Sequence, residues 1–258
     1  VSRNYLTQRL LNQRSGSILT GLIYLKWMCL RMTSKALFIG FEDCRYSNNA
    51  VDLLVSKGFE TTFWKASKKR GSKIPKEIEE WSGDYIFHYK SYCILPEQFI
   101  NKASIAAINF HPSHPKYPGS GGINWALYNE DAETGVTVHY MNKNVDNGPI
   151  INVYRVVIED EDNVESLLEK VHRCQFDSFS NIIHTITVQG PKELSRISSE
   201  NTDEWGKKTG RIRDIDKLEN IDIDISKEEL DKIIKSTYYN GYGPKIRIHG
   251  YTFKYSGE

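Results

Sequence analysis

The sequence predicts an α/β fold in which a mostly parallel, doubly wound sheet is followed by a small C-terminal helix and β-hairpin. Two observations favour this fold. From Lys35 to Phe110, short apolar runs alternate with amphipathic segments, which is the pattern of strands that alternate with helices. Glycine or proline residues, such as Gly58, Pro75 and Pro96, stand where one segment gives way to the next.

In the first half of the predicted sheet, each strand comes from a run of apolar or β-branched residues and each helix from apolar residues on one face. The run "ALFIGF" is typical of a buried strand, and "NNAVDLLVSKGF" has the spacing of a helix that stops at Gly58. The predicted strands lie at 36–41, 60–66, 84–90 and 104–110, and the helices at 48–59, 75–81 and 95–102.

The pattern continues with a helix at 122–130, strands at 135–141 and 149–158, and a long helix at 163–187. Gly190 and Pro191 break the chain, and a polar segment follows as far as about Asn220. The last part predicts a helix followed by a hairpin. We therefore expect an extension at 1–31, a main domain at 32–190, and a C-terminal linker with a small helix and hairpin at 191–258.

The first 31 residues differ in composition from the rest, since they hold five basic residues and no acidic one. Their apolar run, Ser17 to Leu30, is shorter than the roughly 20 residues that a membrane-spanning helix needs, so no membrane association is expected. A plausible first strand starts soon after Met32. We therefore interpret residues 1–31 as a non-native or mis-assigned extension.

The net charge and the positions of the cysteines limit which partners and which cellular compartment are expected. Without residues 1–31, 29 basic and 33 acidic residues give a net charge of −4, which disfavours a nucleic acid partner. The four cysteines, at positions 29, 44, 93 and 174, form no CxxC pair, so a reducing cytoplasm is expected rather than a disulfide framework. The first strand-to-helix turn, "GFEDCRYSN", lacks the GxGxxG spacing of a dinucleotide site.

The loop after the fourth strand, "NFHPSHPKYPGSGG", is the main candidate site, because ligands of such sheets bind beyond the carboxyl ends of the strands. Asn109 and His111 are two positions apart, so both side chains can point to one side. An amide beside an imidazole suits acyl transfer: the amide stabilises an oxyanion and the imidazole moves a proton. Taken alone, an N-x-H pair is more often ordinary turn chemistry.

Asp146, in the turn "NVDNGP", is a third candidate, because a carboxylate near His111 would orient the imidazole. Asp-Asn-Gly is also a common turn sequence, so the residue alone does not establish the role. His111 and His114 are the only metal ligands that this loop suggests. Without an obvious third ligand, no metal is expected.

The stretch 109–151, "NFHPSHPKYPGSGGINWALYNEDAETGVTVHYMNKNVDNGPII", resembles the folate-dependent formyltransferase family. That family has an N-x-H-P loop, a glycine-containing stretch before a W-A helix, a TGVT-H-M strand and a D-x-G-P turn. The same elements occur here in order, at Asn109, His111, Pro112, Gly119, Trp125, Ala126, Thr134 to Thr137, His139, Met141, Asp146, Gly148 and Pro149.

The resemblance implies a Rossmann-like domain that transfers a formyl group from N10-formyltetrahydrofolate to an amine. It assigns Asn109 to the formyl oxygen, His111 to proton acceptance or oxyanion binding, and Asp146 to proton relay beside the pterin. It also implies a pterin pocket between loops 90–96 and 141–146. The cofactor-binding candidates are Tyr92, Cys93, Ile94, Met141, Asn142, Lys143 and Asp146.

The acceptor is indicated by "HPKYPG", which has Pro118 where the family commonly has arginine. This form resembles the branch that formylates nucleotide-linked sugars, so we expect a dTDP-4-amino-4,6-dideoxyglucose or 3-amino relative, destined for surface polysaccharide such as the O-antigen of lipopolysaccharide. The segment "WGKKTGRIRD" offers cations for a pyrophosphate, with a surface charge cluster as the alternative. The substrate-binding candidates are Tyr117, Trp205, Lys208, Arg211 and Arg213.

Other outcomes stay open at this stage. The acceptor could be glycinamide ribonucleotide, methionyl-tRNA or water, and a folate-binding protein without turnover is a further alternative. The short basic segment "KASKKRGSK" is interpreted as a solvated loop rather than a tRNA-binding insertion. The closing segment "GPKIRIHGYTFKY" suits a hairpin through which a homodimer would form.

Overall fold

The computed structural model describes residues 33–257, and from Lys35 onward the chain forms one compact unit built on a six-stranded sheet. The expectation about residues 1–31 lies outside the described residues. In chain order the strands are β1 (Lys35–Gly40), β2 (Glu60–Lys65), β3 (Gly83–His88), β4 (Ala103–His111), β5 (Glu133–Tyr140) and β6 (Ile150–Val157).

The sheet has the strand order β2-β1-β3-β4-β5-β6. The pairs β1–β2, β1–β3 and β3–β4 are parallel, whereas β4–β5 and β5–β6 are antiparallel. The predicted α/β, Rossmann-like fold with a mostly parallel sheet is therefore confirmed. Since β3 and β4 are parallel, their carboxyl ends lie side by side at one edge of the sheet.

Helices cover the sheet and form most of the C-terminal part. The first four are α1 (Arg45–Ser56), α2 (Lys76–Glu79), α3 (Glu97–Ile100) and α4 (Gly122–Tyr128). The next four are α5 (Val164–Val188), α6 (Pro191–Glu200), α7 (Ile212–Leu218) and α8 (Lys227–Thr237). After α8, an antiparallel hairpin consists of β7 (Lys245–Ile248) and β8 (Tyr251–Lys254), as the sequence predicts.

Helices α6 and α7 fall in the segment that the sequence indicated only as a break and a polar stretch. Pro191 is the first residue of α6, where its missing N–H costs nothing, so Gly190-Pro191 ends one helix and begins another. Each of these helices has one buried residue, Leu194 in α6 and Ile215 in α7. A single apolar contact leaves little periodicity for a sequence pattern to detect.

A buried glutamine on the long helix α5 holds the strand ends that carry the candidate site. The side chain of Gln175 is completely buried, and its Nε2 donates to the carbonyl oxygens of Tyr89 at 2.8 Å and Phe110 at 2.7 Å. Tyr89 directly follows β3, and Phe110 lies between Asn109 and His111 on β4. Gln175 therefore fixes the spacing of β3 and β4 at the edge where the site is formed.

Candidate active site

The candidate site lies where β4 ends, between the parallel strand β3 and the antiparallel strand β5. Side chains alternate along β4: Ile108 and Phe110 belong to the hydrophobic core, whereas Asn109 and His111 are polar residues that line a cleft. Pro112 follows and, having no N–H, cannot continue the ladder of hydrogen bonds. The strand therefore ends with two polar side chains on one side of the sheet.

Asp146 meets these two side chains from the turn between β5 and β6. Its Oδ1 accepts a hydrogen bond from Asn109 Nδ2 at 3.1 Å, and its Oδ2 lies 3.2 Å from His111 Nδ1. The backbone N–H of Gly119 donates to the same Oδ2 at 2.8 Å. The structure thus brings together the three residues predicted to be catalytic, and their catalytic role stays a prediction.

His111 has a hydrogen-bond acceptor at each ring nitrogen. Its Nδ1 faces the carboxylate of Asp146, and its Nε2 lies 3.0 Å from the carbonyl oxygen of Tyr117. A neutral imidazole can donate to only one of these acceptors, whereas a doubly protonated ring donates to both. His111 is therefore placed to take up a proton without losing an existing hydrogen bond.

The carboxyl group of Asp146 is held in its charged form. Burial alone would raise the pKa of Asp146, but the charge of His111 and the hydrogen-bond donors around the carboxylate hold that pKa well below its usual value. The side chain is only 8% exposed. A buried, permanently charged carboxylate beside an imidazole can stabilise the imidazolium when the ring accepts a proton.

The turn that carries Asp146 has a backbone that few sequences allow. Asp146 itself has φ 44°, in the left-handed region that asparagine and aspartate tolerate better than most residues. A Cβ atom on Gly148 would stand 1.7 Å from the carbonyl oxygen of Tyr140. The glycine of the D-x-G-P turn is therefore required by close packing of the turn against β5.

His139 is part of the same polar cluster, although the sequence offered no role for it. Its Nδ1 lies 2.8 Å from the carbonyl oxygen of Tyr140, so Nδ1 carries the proton and Nε2 can accept. Asn109 Nδ2 lies 3.0 Å from that Nε2. His139 stands directly opposite Asn109 in the β4–β5 register, so an antiparallel pairing of these two strands would have predicted the contact.

Trp205 packs against the two histidines rather than facing the cleft. Its ring centre lies 4.9 Å from that of His139, nearly perpendicular to it, and 5.9 Å from that of His111. Its Nε1 donates to the carbonyl oxygen of Gly148 at 2.8 Å. The sequence prediction placed Trp205 against a nucleotide base. The structure instead engages the indole with the turn that holds Asp146.

The segment that follows Trp205 runs beside the loop after β4, residues 112–121. Gly206 N donates to Pro115 O at 2.8 Å, and Gly210 N donates to Pro118 O at 2.7 Å. Ser120 N donates in return to Gly210 O at 2.9 Å. Residues before and after position 190 therefore both contribute to the site. The domain boundary at that position stays a prediction.

Two further loops complete a cleft of about 920 Å³ around the polar cluster. Loop 90–96 lies between β3 and α3, and loop 141–146 lies between β5 and β6. The residues predicted to bind the cofactor all line this cleft, namely Tyr92, Cys93, Ile94, Met141, Asn142, Lys143 and Asp146. The structure thus places both loops next to the candidate catalytic residues.

The predicted substrate-binding residues are not found at the cleft. The hydroxyl of Tyr117 donates to Asp131 Oδ2 at 2.6 Å, and its carbonyl oxygen, not its ring, meets His111. Lys208, Arg211 and Arg213 are exposed, outside the group of residues that line the cleft. They belong to an exposed charged segment at and before α7, and their role in substrate binding stays a prediction.

Positively charged side chains at the cleft come instead from the loop after β2. This loop is part of "KASKKRGSK", the basic segment that was interpreted as a solvated loop. Lys68 and Arg70 both line the cleft. Lys68 pairs with Asp43 at 3.2 Å. The guanidinium of Arg70 lies 4.4 Å above the ring of Tyr92, and its Nη1 donates to Ser120 Oγ at 3.3 Å. Only the fold shows that this loop crosses the mouth of the cleft.

Within residues 33–257, no group of three or more His, Cys, Asp or Glu side chains is placed to hold a metal ion. The Nδ1 of His114 accepts a hydrogen bond from the backbone N–H of Lys116 at 3.2 Å. Across the same described part of the chain, none of the helices combines the length and the apolar character that crossing a bilayer requires.

A family model described as formyl transferase matches residues 28–183, which is more than half of the chain. The chain therefore belongs to the formyl transferase family. The resemblance carried by residues 109–151 is confirmed at this level, and the match includes Asn109, His111 and Asp146.

Among curated proteins, the chain is 34% identical over 105 residues to a methionyl-tRNA formyltransferase of Bacteroides thetaiotaomicron. The aligned part covers 40% of this chain and 32% of that relative. The chain thus spans about a third of the length of the curated relative that it matches.

Among solved structures, a 4-N formyltransferase from Francisella tularensis is similar, with a TM-score of 0.65 and 17% identity, over 85% of this chain and 95% of that one. An N-formyltransferase from Helicobacter canadensis, solved with folinic acid and dTDP-3-aminofucose, has a TM-score of 0.60 and 17% identity over 85% of each chain. At these identities, the similarity shows the shared fold.

Proposed function

We propose that the protein transfers a formyl group from N10-formyltetrahydrofolate to the amino group of a nucleotide-linked amino sugar. The observation that carries this proposal is the meeting of Asn109, His111 and Asp146 at the inner end of one large cleft. An amide, an imidazole and a buried carboxylate provide what acyl transfer to an amine requires.

The cleft suits a flat heterocycle of the pterin type. Tyr92, Ile94 and Met141 give it apolar surface, and Asn142 and Asp146 add polar groups beside that surface. When bound there, the folate supplies a formyl carbon that is open to attack by an amine. The residues of this chain then have three tasks: to orient the formyl oxygen, to stabilise charge on it and to remove a proton from the amine.

Asn109 is the residue proposed to stabilise the formyl oxygen as it becomes negative. Both hydrogens of its Nδ2 already have partners, Asp146 Oδ1 at 3.1 Å and His139 Nε2 at 3.0 Å. A formyl oxygen must share or replace one of them. The bond to Asp146 is the stronger one, because a hydrogen bond to a carboxylate is charge-assisted, so the contact with His139 is the one that the formyl oxygen would replace.

His111 is the residue proposed to take the proton that the amine loses as it adds to the formyl carbon. The new proton makes the ring a donor to both Asp146 and the carbonyl of Tyr117. His111 would then return this proton to the nitrogen of the folate from which the formyl group has passed to the amine. A positioned base and acid of this kind typically contributes about 10²–10⁴-fold to the rate.

The choice of a nucleotide-linked sugar is supported by the charges at the cleft and by the structural neighbours. Among the described residues, the side-chain hydrogen bond of Arg70 is to a neutral hydroxyl, which leaves guanidinium donors for a phosphate. Lys143 is a further exposed cation at the cleft. The Helicobacter canadensis neighbour was solved with dTDP-3-aminofucose. The product would serve surface polysaccharide synthesis.

The experiment incubates the purified protein and N10-formyltetrahydrofolate with dTDP-linked 3-amino and 4-amino sugars and with their UDP-linked counterparts. Mass spectrometry should detect one added formyl group on at least one of them, and Asp146→Asn should abolish the gain. Absence of any formylated sugar from the wild-type reaction rejects the proposed acceptor class.

A second candidate acceptor is methionyl-tRNA, because the curated relative from Bacteroides thetaiotaomicron is named a methionyl-tRNA formyltransferase. A parallel reaction with methionyl-tRNA, one with glycinamide ribonucleotide, and one without acceptor to detect hydrolysis distinguish the alternatives. Formylated tRNA without formylated sugar would favour the tRNA enzyme. Tight folate binding with no product in any reaction would indicate a binding protein.

We also propose that the enzyme acts in the cytoplasm as a homodimer that pairs through the β7–β8 hairpin. Tyr251 and Phe253 on β8 are exposed, and among residues 33–257 β8 pairs only with β7, so its other edge could pair with a second copy. Sedimentation of the wild type should give a dimer, and a variant with Tyr251→Ser and Phe253→Ser should give a monomer. A monomeric wild type rejects this part.

A further inference from the structure

A second histidine, His88, contacts the amide of Asn109 from the side opposite to Asp146. His88 is the last residue of β3 and stands opposite Asn109 in the parallel β3–β4 register. Its Nδ1 lies 2.8 Å from Asn109 Oδ1, and its Nε2 lies 3.3 Å from the carbonyl oxygen of Cys93. The proposed mechanism gives His88 no task.

The hydrogen-bond pattern determines which nitrogen of His88 carries the proton. Asp146 is a carboxylate and can only accept, so the Asn109 atom that lies 3.1 Å from it must be the NH₂ group. The amide oxygen therefore points the other way, toward His88. Because that oxygen is an acceptor, Nδ1 of His88 must be the donor.

The ring of His88 has little tendency to gain a second proton. Burial lowers the pKa of His88, against the opposing influence of its contacts with Asn109 and Cys93. A neutral ring with the proton on Nδ1 leaves a lone pair on Nε2, and the contact with the Cys93 carbonyl is long at 3.3 Å. The short bond to Asn109 is thus the interaction that fixes the ring.

The two contacts hold the amide of Asn109 in one orientation. If the amide rotated by half a turn, its oxygen would face the carboxylate of Asp146 and its NH₂ would face a donor N–H of His88. Both contacts would become repulsive. A donor on the amide oxygen also polarises the group and strengthens its N–H donors, as in other hydrogen-bond chains.

We propose that His88, in the tautomer protonated on Nδ1, is a positioning residue that holds the amide of Asn109 in one orientation, with one N–H on Asp146 and the other available to the formyl oxygen. The inference rests on the proposed function, because it concerns the same transition state. His88 itself lines the cleft, and its proposed role is exercised through Asn109 rather than on the reacting atoms. Its contribution acts through Asn109 alone, and this makes it separable from a structural role.

The kinetic test compares His88→Leu, which removes the donor, with His88→Asn, whose amide nitrogen can occupy the place of Nδ1. His88→Leu should lower kcat roughly 10- to 100-fold, the scale of a misplaced reacting group, with the KM values for folate and acceptor nearly unchanged. His88→Asn should recover most of kcat. Equal losses in both variants, or a loss that falls on KM, would overturn the proposal.

A double-mutant cycle separates positioning from structure. In an Asn109→Ala background, adding His88→Leu should cost nothing further, because the group that His88 orients is gone. A second loss of the same size as in the wild-type background would show that His88 acts independently of Asn109. That result would contradict the inference even if the enzyme formylates the expected sugar.

A measurement without turnover keeps the inference separate from the proposed function. Nitrogen-15 NMR of histidine-labelled protein, assigned with His88→Asn, should show His88 neutral and protonated on Nδ1. A proton on Nε2 alone would overturn the inference. If the wild type formylates no acceptor but His88 has the expected tautomer, the proposed function fails while the orientation of Asn109 stands.

Discussion

The two walls of the cleft are built in different ways. The polar wall consists of Asn109, His111, His139 and Asp146, of which Asn109 is half-buried and the other three are buried. Its side chains hydrogen-bond to one another or to backbone groups. The loop wall, residues 90–96 and 141–145, includes Ile94 at 70% exposure and Tyr92 at 42%. The comparison teaches that the side chains proposed for the chemistry are held by hydrogen bonds within the protein, whereas the loop wall presents exposed apolar side chains.

The largest effect should come from removing the charge at the centre of the polar wall. Asp146→Asn keeps the shape of the side chain but loses the charge that supports protonated His111. We expect kcat to fall by roughly 10²–10⁴-fold. Asn147→Ala, the exposed neighbour in the same turn, is the matched control. Comparable kcat values for Asp146→Asn and wild type would remove the basis for treating this wall as catalytic.

The same carboxylate makes a stability prediction with a defined sign. The pKa of Asp146 is lowered on folding, so its contribution to stability is present above the ordinary value of 3.8 and is lost as the pH falls below it. Urea unfolding should show an advantage of wild type over Asp146→Asn at neutral pH that shrinks in acid. An advantage that grows as the pH falls below 3.8 would contradict the assigned charge state.

Substitutions that disturb the backbone of the polar wall should have effects as large as substitutions of its side chains. Gly148→Ala would place a Cβ 1.7 Å from the Tyr140 carbonyl oxygen, and we expect a loss of about 3 kcal/mol in the free energy of unfolding. Gly71→Ala is the control for the close contact, because nothing stands within 4 Å of the added Cβ there, although Gly71, unlike Gly148, has a positive φ of 74°. Only backbone strain of about 1–2 kcal/mol applies there. Equal losses would show that the close approach at Gly148 is unimportant.

A smaller effect is expected behind the polar wall. Trp205→Phe keeps an aromatic ring against His139 but loses the hydrogen bond from Nε1 to the carbonyl of Gly148. We expect a loss of about 1 kcal/mol in the free energy of unfolding, measured with urea, and a modest fall in kcat. A selective rise in the KM for the sugar nucleotide would instead restore the base-stacking role predicted for Trp205.

The smallest effect should appear on the loop wall. Ile94→Ala removes an exposed side chain, so the free energy of unfolding should change by less than about 0.5 kcal/mol. The KM for folate should rise roughly five-fold if a bound pterin covers this residue. Lys208→Ala, outside the cleft, should leave every KM unchanged. If KM changed in the Lys208 variant and not in the Ile94 variant, the ligand would bind at the surface around Lys208 and not at the loop wall.

The outcome along the chain shows which physical signals a sequence contains. Asn109, His111 and Asp146 could be chosen because each sits at a strand end or tight turn, where local chemistry and fold position agree. The contact between Asn109 and His139 required the antiparallel register of β4 and β5, which apolar runs do not encode. The mostly parallel sheet was predictable because its strands are apolar and regularly spaced.

The substrate residues show the opposite case. Lys208, Arg211 and Arg213 are close together in sequence, yet α7 and the segment before it leave them in solvent. Arg70 belongs to a segment dismissed as solvated, yet the path of the loop after β2 brings it over Tyr92. Charge density along a chain predicts little about a cleft, because loops from distant parts of the sequence form its edges.

The most direct test of the central claim follows the formyl group itself. Wild-type protein and the Asp146→Asn variant are each mixed with isotopically labelled N10-formyltetrahydrofolate and a dTDP-linked amino sugar, and the sugar nucleotide is analysed by mass spectrometry. The account predicts labelled formamido sugar from the wild type and almost none from the variant. Equal labelling by both proteins would contradict the claim that Asn109, His111 and Asp146 form the centre of the reaction.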